Sequence, residues 1–272
     1  MTQRIITALG LICILLVLMY LGGAVLSIVA IACTFVAMYE EFRALKGAGH
    51  RIITWPTWAG TVAAALVMLF SGVKIIVPML AFVSVITLIL VVYRREPKLE
   101  DCLFSLVPLF TVALPGLCLV NIALTQPQPL QITLLALVFS VPVICDTAAF
   151  FVGRAVGGPK LCPAVSPNKT ISGAIGGMVG ALAAAIITGA VAHWLCPADI
   201  AAALPAWWEF ALIGLAGGIF SQMGDLFASM VKRHCGIKDF SNIFPGHGGM
   251  LDRGDSIFFM AVLVYCIRLM TA

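Results

Sequence analysis

The feature that most constrains this chain is a succession of apolar runs from one end to the other. Each is long enough to cross a ~30 Å hydrocarbon core as a helix, which takes about 17–25 residues. The strict alternation over segments of about ten residues that marks an outer-membrane barrel is absent. Only 10% of the residues are charged and the mean hydropathy is +1.11, whereas soluble domains carry about 25% charge. The chain therefore reads as an all-α integral membrane protein.

The runs predict about nine transmembrane helices, over residues 5–21, 23–39, 54–71, 74–93, 103–124, 130–152, 171–195, 207–231 and 254–271. The first has the basic start and trailing small residues of a signal peptide. The apolar pattern resumes at once over residues 24–38, which favours a helical hairpin turning at Gly22 and Gly23. The whole chain, residues 1–272, reads as a single polytopic membrane domain. Residues 1–125 supply scaffold helices, and residues 126–272 supply the helices and loops that carry chemistry.

Charge orients this arrangement. Nine spans place Arg4, Arg43, Lys46, Arg51, Arg94, Arg95, Lys98, Arg154, Lys160, Lys169, Lys232, Arg233, Lys238 and Arg253 on one side, leaving Lys74 and Arg268 on the other. By the positive-inside rule the N-terminus is cytoplasmic and the C-terminus outside. The net charge of +4 is thus a mark of topology and does not point to nucleic acid. The nine cysteines form no CxxC pair and read as small apolar residues.

The polar residues concentrate in two cytoplasmic loops, "GRAVGGPKLCPAVSPNKT" and "KRHCGIKDFSNIFPGHGGMLDRGDS". Both are longer than a membrane hairpin needs. The first half of the chain shows no comparable cluster. Ionisable residues inside spans are costly and hence informative. Asp146 lies near the cytoplasmic end of the sixth span, and Asp225 lies within the eighth. Helical spacing puts Ser221, Asp225 and Ser229 on one face, with Lys232 and Arg233 following a turn later.

Gly246, Gly248 and Gly249 permit positive φ and close approach of backbone N–H groups to an anion. Asp252, Asp255 and Ser256 open the last run, where such residues also suit a helix N-terminus. Carboxylates beside a glycine turn and several Lys and Arg are what a metal-bound polyphosphate requires. The earlier loop repeats the theme with Lys160, Ser166, Lys169 and Thr170 beside Asp146. No GxxxxGK[ST], HExxH or GxSxG is present. His50 and His193 fall at span ends, in interfacial positions.

Ser229, Lys232 and Arg233, then Lys238 and Asp239, then "PGHGGMLDRGD" closely resemble the C-terminal signature of the phosphatidate cytidylyltransferases (CDP-diacylglycerol synthases). "DTAAFFVGRAVGG", "SPNKTISGAIGG" and "GDLFASMVKR" resemble further stretches of that family. Departures are Gly254 for a larger apolar residue, Ser172 for an acidic residue, Asn168 for a lysine, and Ala228 at a position often acidic. The resemblance implies transfer of CMP from CTP to phosphatidate with Mg²⁺, a second cation being an option. It assigns the metal to Asp225 and Asp252, with Asp255 and Asp146 nearby. It assigns charge neutralisation and catalysis to Lys169, Lys232, Arg233, Lys238, Asp239, His247 and Arg253. Substrate contacts fall to Ser166, Thr170, Ser229, Gly246, Gly248 and Gly249. It further implies a homodimer in the cell membrane, among membrane lipid, with the site facing the cytoplasm.

Two other readings stay open. One is a related CTP-using membrane enzyme with a different lipid acceptor, such as a polyprenol kinase or an archaeal-type lipid cytidylyltransferase. The other is a transporter in which Asp146 and Asp225 couple cations. A transporter needs polar residues along a path to the outer face, and the outward half of this sequence is nearly uncharged.

The topology is open to direct measurement. Single cysteines at Lys98 and Pro163, in a cysteine-free background, are expected to resist an impermeant thiol reagent in intact cells. Cysteines at Gln128 and Ala201 are expected to react. The opposite pattern would invert the orientation.

Overall fold

The computed structural model describes residues 2–71, 75–244, 246 and 248–271. The chain runs through α1 (Thr2–Leu21), α2 (Gly23–Gly47), α3 (Trp55–Ser71), α4 (Ile76–Val92) and α5 (Leu99–Pro108). A π-helical turn, Leu109–Ala113, joins α5 to α6 (Leu114–Ala123). α7 (Gln128–Val156) follows, then a short antiparallel hairpin of β1 (Lys160–Cys162) and β2 (Ser166–Thr170). The remainder is α8 (Ile171–Leu195), α9 (Ala198–Ala201), α10 (Trp207–His234) and α11 (Leu251–Thr271).

Every predicted apolar run falls on a helix. Among the described residues six are long and apolar enough to cross a membrane: α2, the combined segment Leu99–Ala123, α7, α8, α10 and α11. This is a multi-pass, all-α membrane protein. α3 and α4 are apolar but have 17 residues each, about 26 Å at 1.5 Å per residue, less than a ~30 Å core. The predicted turn between the first two helices is present, with Gly22 at φ 57°. Lys74, one of the two basic residues expected outside, lies beyond the described residues.

Two differences from the sequence reading affect the site. α2 does not stop at residue 39 but continues to Gly47, carrying Glu40 and Glu41 into the core at 2% and 1% exposure. The loop after α7 is not irregular: Gly157 and Gly158, both at positive φ, turn the chain into the β-hairpin. All nine cysteines are free, and only Cys102, Cys118 and Cys145 are buried within the protein.

Small residues bring α7, α8 and α10 close enough to form the walls of a site. Without a hydrophobic force between helices in lipid, packing relies on such close approach. Gly173, Gly177 and Gly180 of α8 lie against Ala149, Cys145 and Ala148 of α7. Gly214 and Gly218 of α10 lie against Leu182 and Met178 of α8. Buried Gln222 spans the seam, its Nε2 donating to the carbonyls of Ala174 (3.1 Å) and Gly218 (3.0 Å).

A Cβ at Gly214 would fall 2.8 Å from the Cα of Leu182, which is backbone and cannot swing away. Gly214→Ala is therefore expected to cost about 1–3 kcal/mol through overpacking. Gly10→Ala, where a Cβ meets nothing within 4 Å, is expected to leave stability unchanged or slightly raised. Thermal unfolding of the two variants in detergent checks this, and equal melting temperatures would contradict the tight seam.

Candidate active site

The site builds from α7, the hairpin, α8 and α10. Together they enclose a cavity of about 560 Å³ whose lining includes Asp146, Arg154, Lys160, Lys169, Gln222 and Asp225. Phe150 and Leu161 give it an apolar flank, and Gly153, Gly173 and Ala174 its close walls. Asp225 is held by an ion pair with Lys169 and accepts a hydrogen bond from the Ser229 hydroxyl at 3.4 Å. Asp146 opens onto the same cavity, within electrostatic reach of Asp225, Lys169 and Arg253. It has no ion-pair partner among the described residues. Asp255, in the first turns of α11, lies within electrostatic reach of the same carboxylates. A Cβ at Gly224 would lie 2.5 Å from the Asp255 carbonyl, so α10 and α11 touch at that point.

Thr170 ends β2 and caps α8, its hydroxyl accepting from the Gly173 amide at 3.1 Å. Ser166 begins β2, opposite Cys162.

The long loop between α10 and α11 is organised by two carboxylates. Asp252 is 9% exposed. Its Oδ1 meets the Lys232 ammonium at 2.7 Å, and its Oδ2 accepts from the amides of Phe240 (2.8 Å) and Gly249 (2.9 Å). The Lys232 ammonium also stands 5.5 Å from the centre of the Phe240 ring. Glu40, from α2, accepts from the Ser241 hydroxyl (2.5 Å) and from the amides of Met250 (3.0 Å) and Leu251 (2.8 Å).

The glycines answer to these carboxylates. Gly248 sits at φ 82°, and a Cβ on Gly249 would fall 2.5 Å from Glu40 Oε1. The anion that the Gly249 amide meets here is thus a side chain of the protein itself.

A second cavity, about 720 Å³, lies between the end of α2 and this loop, with Arg43, Asp239, Ser241 and Asn242 in its lining. Arg233, Lys238, Asp239, Gly246 and Arg253 are exposed. His247 lies outside the described residues. Nearby, His50 and His234 meet Nε2 to Nε2 at 2.8 Å with Phe104 against both rings. His193 stacks on Trp207 at the far end of the bundle.

A sequence model described as "Cytidylyltransferase family" matches residues 2–270. The phosphatidate cytidylyltransferase of Brucella melitensis is 37% identical over 266 residues, covering 96% of this chain and 91% of that protein. That of Staphylococcus haemolyticus is 32% identical over 270 residues, covering 97% of each. The chain belongs to the cytidylyltransferase family.

Of the residues singled out from the sequence, the cavity brings together Asp146, Lys169, Thr170 and Asp225, with Ser229 bonded to Asp225. Asp252 and Lys232 are directed to each other instead. Asp252 Oδ2 accepts from two backbone amides, whereas Oδ1 accepts from Lys232 alone and keeps a lone pair. The family departures are accommodated locally. The Ser172 hydroxyl donates to the Gly157 carbonyl, Asn168 lines the cavity, and Ala228 is buried. Glu40 escaped the sequence reading, although paired glutamates within a helical apolar pattern are the signal that exposes it.

Asp252→Ala would leave Lys232 and two backbone amides without their acceptor. Breaking a buried pair from one side costs about 3–5 kcal/mol, while replacing both members with apolar residues is far milder. The single variant is therefore expected to melt well below the wild type, and Lys232→Met/Asp252→Leu to recover part of the loss. An Asp252→Ala protein that melts with the wild type would show that the loop is held by other means.

Proposed function

We propose that this protein transfers CMP from CTP to phosphatidate, giving CDP-diacylglycerol and pyrophosphate, in phospholipid biosynthesis at the cell membrane. One observation carries the reading: a single cavity sets Asp146, Asp225, Lys169, Lys160 and Arg154 beside the apolar surfaces of Phe150 and Leu161. Such a lining suits a polyanion that reaches a lipid-borne phosphate. The printed names of the family relatives agree with it.

In the reaction, a phosphate oxygen of phosphatidate bonds to the α-phosphorus of CTP. The bond from that phosphorus to the β-phosphate oxygen breaks, and pyrophosphate leaves with the electron pair. The nucleophile is already anionic, so no serine or cysteine needs activating. The barrier is the repulsion between two polyanions, which positioned cations lower. Lys169 lines the cavity with Arg154 and Lys160, and its pairing with Asp225 holds it there before substrate arrives. Arg233, Lys238 and Arg253 are exposed and free to meet the triphosphate and the departing pyrophosphate. Lys232 pairs with Asp252 at the base of the loop, where it would also neutralise phosphate charge. His247 remains a candidate for positioning a phosphate.

The donor set fits a hard divalent cation. Mg²⁺ needs only one or two carboxylates beside phosphate and water oxygens, and two carboxylates share the cavity. No group of three or more His, Cys, Asp or Glu side chains that could hold an ion comes together among the described residues. Asp225 and Asp252 would hold Mg²⁺, with Asp146 and Asp255 nearby, and the ion would neutralise phosphate oxygens of the nucleotide.

In this reading the chain crosses nine times, with α3 and α4 crossing where the bilayer thins to match them. The N-terminus and the site face the cytoplasm and the C-terminus lies outside. A homodimer surrounded by membrane lipid is the expected assembly.

Purified protein given CTP, phosphatidate and Mg²⁺ is expected to release pyrophosphate and form CDP-diacylglycerol. Release of CDP with a phosphorylated lipid would replace this reading with a lipid kinase. Asp225→Asn is expected to lower turnover roughly 100-fold or more, the scale of losing one preorganised electrostatic contact, without lowering the melting temperature. Lys238→Gln is expected to weaken CTP use only partially, since other cations remain.

A further inference from the structure

Glu40 is buried at 2% exposure, and it has no cationic partner within ion-pair distance among the described residues. Its neighbours are donors from one segment only, residues 241–251. The Ser241 hydroxyl binds it at one end of that segment, and the Met250 and Leu251 amides bind it at the other. Asp252 makes a second tie of the same kind just inside the first, joining the Phe240 amide to the Gly249 amide. The glycine turn therefore projects from two rungs, each a carboxylate that bridges both limbs of the loop. The Ser241 hydroxyl extends the outer rung by accepting from the Ile243 amide at 3.3 Å.

The outer rung does more than close the loop. The Met250 and Leu251 amides are at the very start of α11, where helix N–H groups have no partner within the helix. Such a terminus attracts anions. Glu40 thus caps α11 from a helix that lies about two hundred residues away in sequence. The direction in which α11 leaves its cap sets where its first turns project Asp252, Arg253 and Asp255. Gly249 completes the fit, because any side chain there would collide with the Glu40 carboxylate.

We infer that Glu40 is a positioning residue for cytidylyl transfer: a clasp supplied by α2 that fixes the α10–α11 loop and the first turn of α11. The kinetic half of this inference rests on the function proposed above; the structural half does not. Glu40 touches none of the cavity-lining groups around Asp225, so its influence runs through the loop backbone.

The test compares Glu40→Gln with Glu41→Gln in lipid nanodiscs. Gln keeps the volume but replaces one accepting oxygen with an NH₂ donor aimed at other donors. Glu41 is the adjacent buried carboxylate, yet it accepts from Thr111 at the π-helical turn and not from the loop. Hydrogen–deuterium exchange is followed over residues 241–251 and, for comparison, over α6 and the first half of α2. Glu40→Gln is expected to raise exchange in the loop and at the start of α11 while leaving the comparison segments at their wild-type rates. Turnover is expected to fall by about tenfold or more, the factor that loss of one charge-assisted hydrogen bond gives, with the KM for phosphatidate unchanged. Glu41→Gln is expected to leave loop exchange at the wild-type rate.

Unaltered loop exchange in Glu40→Gln overturns the clasp, whatever happens to turnover. Equal loosening in Glu41→Gln, or loosening throughout α2 and α6, also overturns it, by making Glu40 a general packing residue. A wild type that makes no CDP-diacylglycerol rejects the functional reading instead, and the exchange measurements then decide the clasp alone.

Discussion

Everything in this protein depends on one constraint: a backbone amide taken out of water at the membrane edge must find an acceptor within the protein. Helices meet the constraint for themselves, but the loops between them do not. Here the loops are served by side chains from other elements. Glu40 and Asp252 take the amides of the α10–α11 loop. Asp101 and Ser105 of α5 take the amides of Arg51 and Ile53 between α2 and α3, each at 2.9 Å. Thr170 takes the Gly173 amide where the hairpin enters α8. The same solution recurs at these three connections, so the loops there have defined shapes.

The carboxylates consequently differ in how many protein donors meet them. Asp252 and Glu40 each accept three hydrogen bonds, from amides and a lysine or a hydroxyl. Asp146 and Asp225 face a cavity, Asp225 with Lys169 as its ion-pair partner. A residue's chemical type does not set how many protein donors converge on it, which only the fold determines.

That difference explains how much could be read beforehand. The helices were legible because apolar runs of membrane length admit few other folds, and each run lies on a helix. Asp146, Lys169 and Asp225 were legible as a group because ionisable residues within or beside spans need a reason to be there, and they do share a cavity. The loop contacts of Asp252 were not legible. Its partners lie three, twelve and twenty residues away on different limbs of the loop, and spacing alone does not reveal such convergence. Glu40 and Glu41 were lost because two acidic residues seemed to end an apolar run, whereas tertiary partners carry the helix through both to Gly47. The β-hairpin was hidden in a loop of glycine, proline and serine whose turn residues signal a change of direction but not strand pairing.

The distance in sequence between Glu40 and its partners has a consequence for how the protein is made. Chains leave the ribosome N-terminus first, so α2 is synthesised long before the loop whose amides it will hold, some 210 positions later. Through most of biosynthesis Glu40 waits with none of the three donors that surround it in the finished molecule. An acidic side chain in that position is costly to keep in a membrane, and the arrival of α11 removes the cost. Closure of the α10–α11 loop and relief of the buried acid on α2 are therefore a single event, late in the folding of the chain.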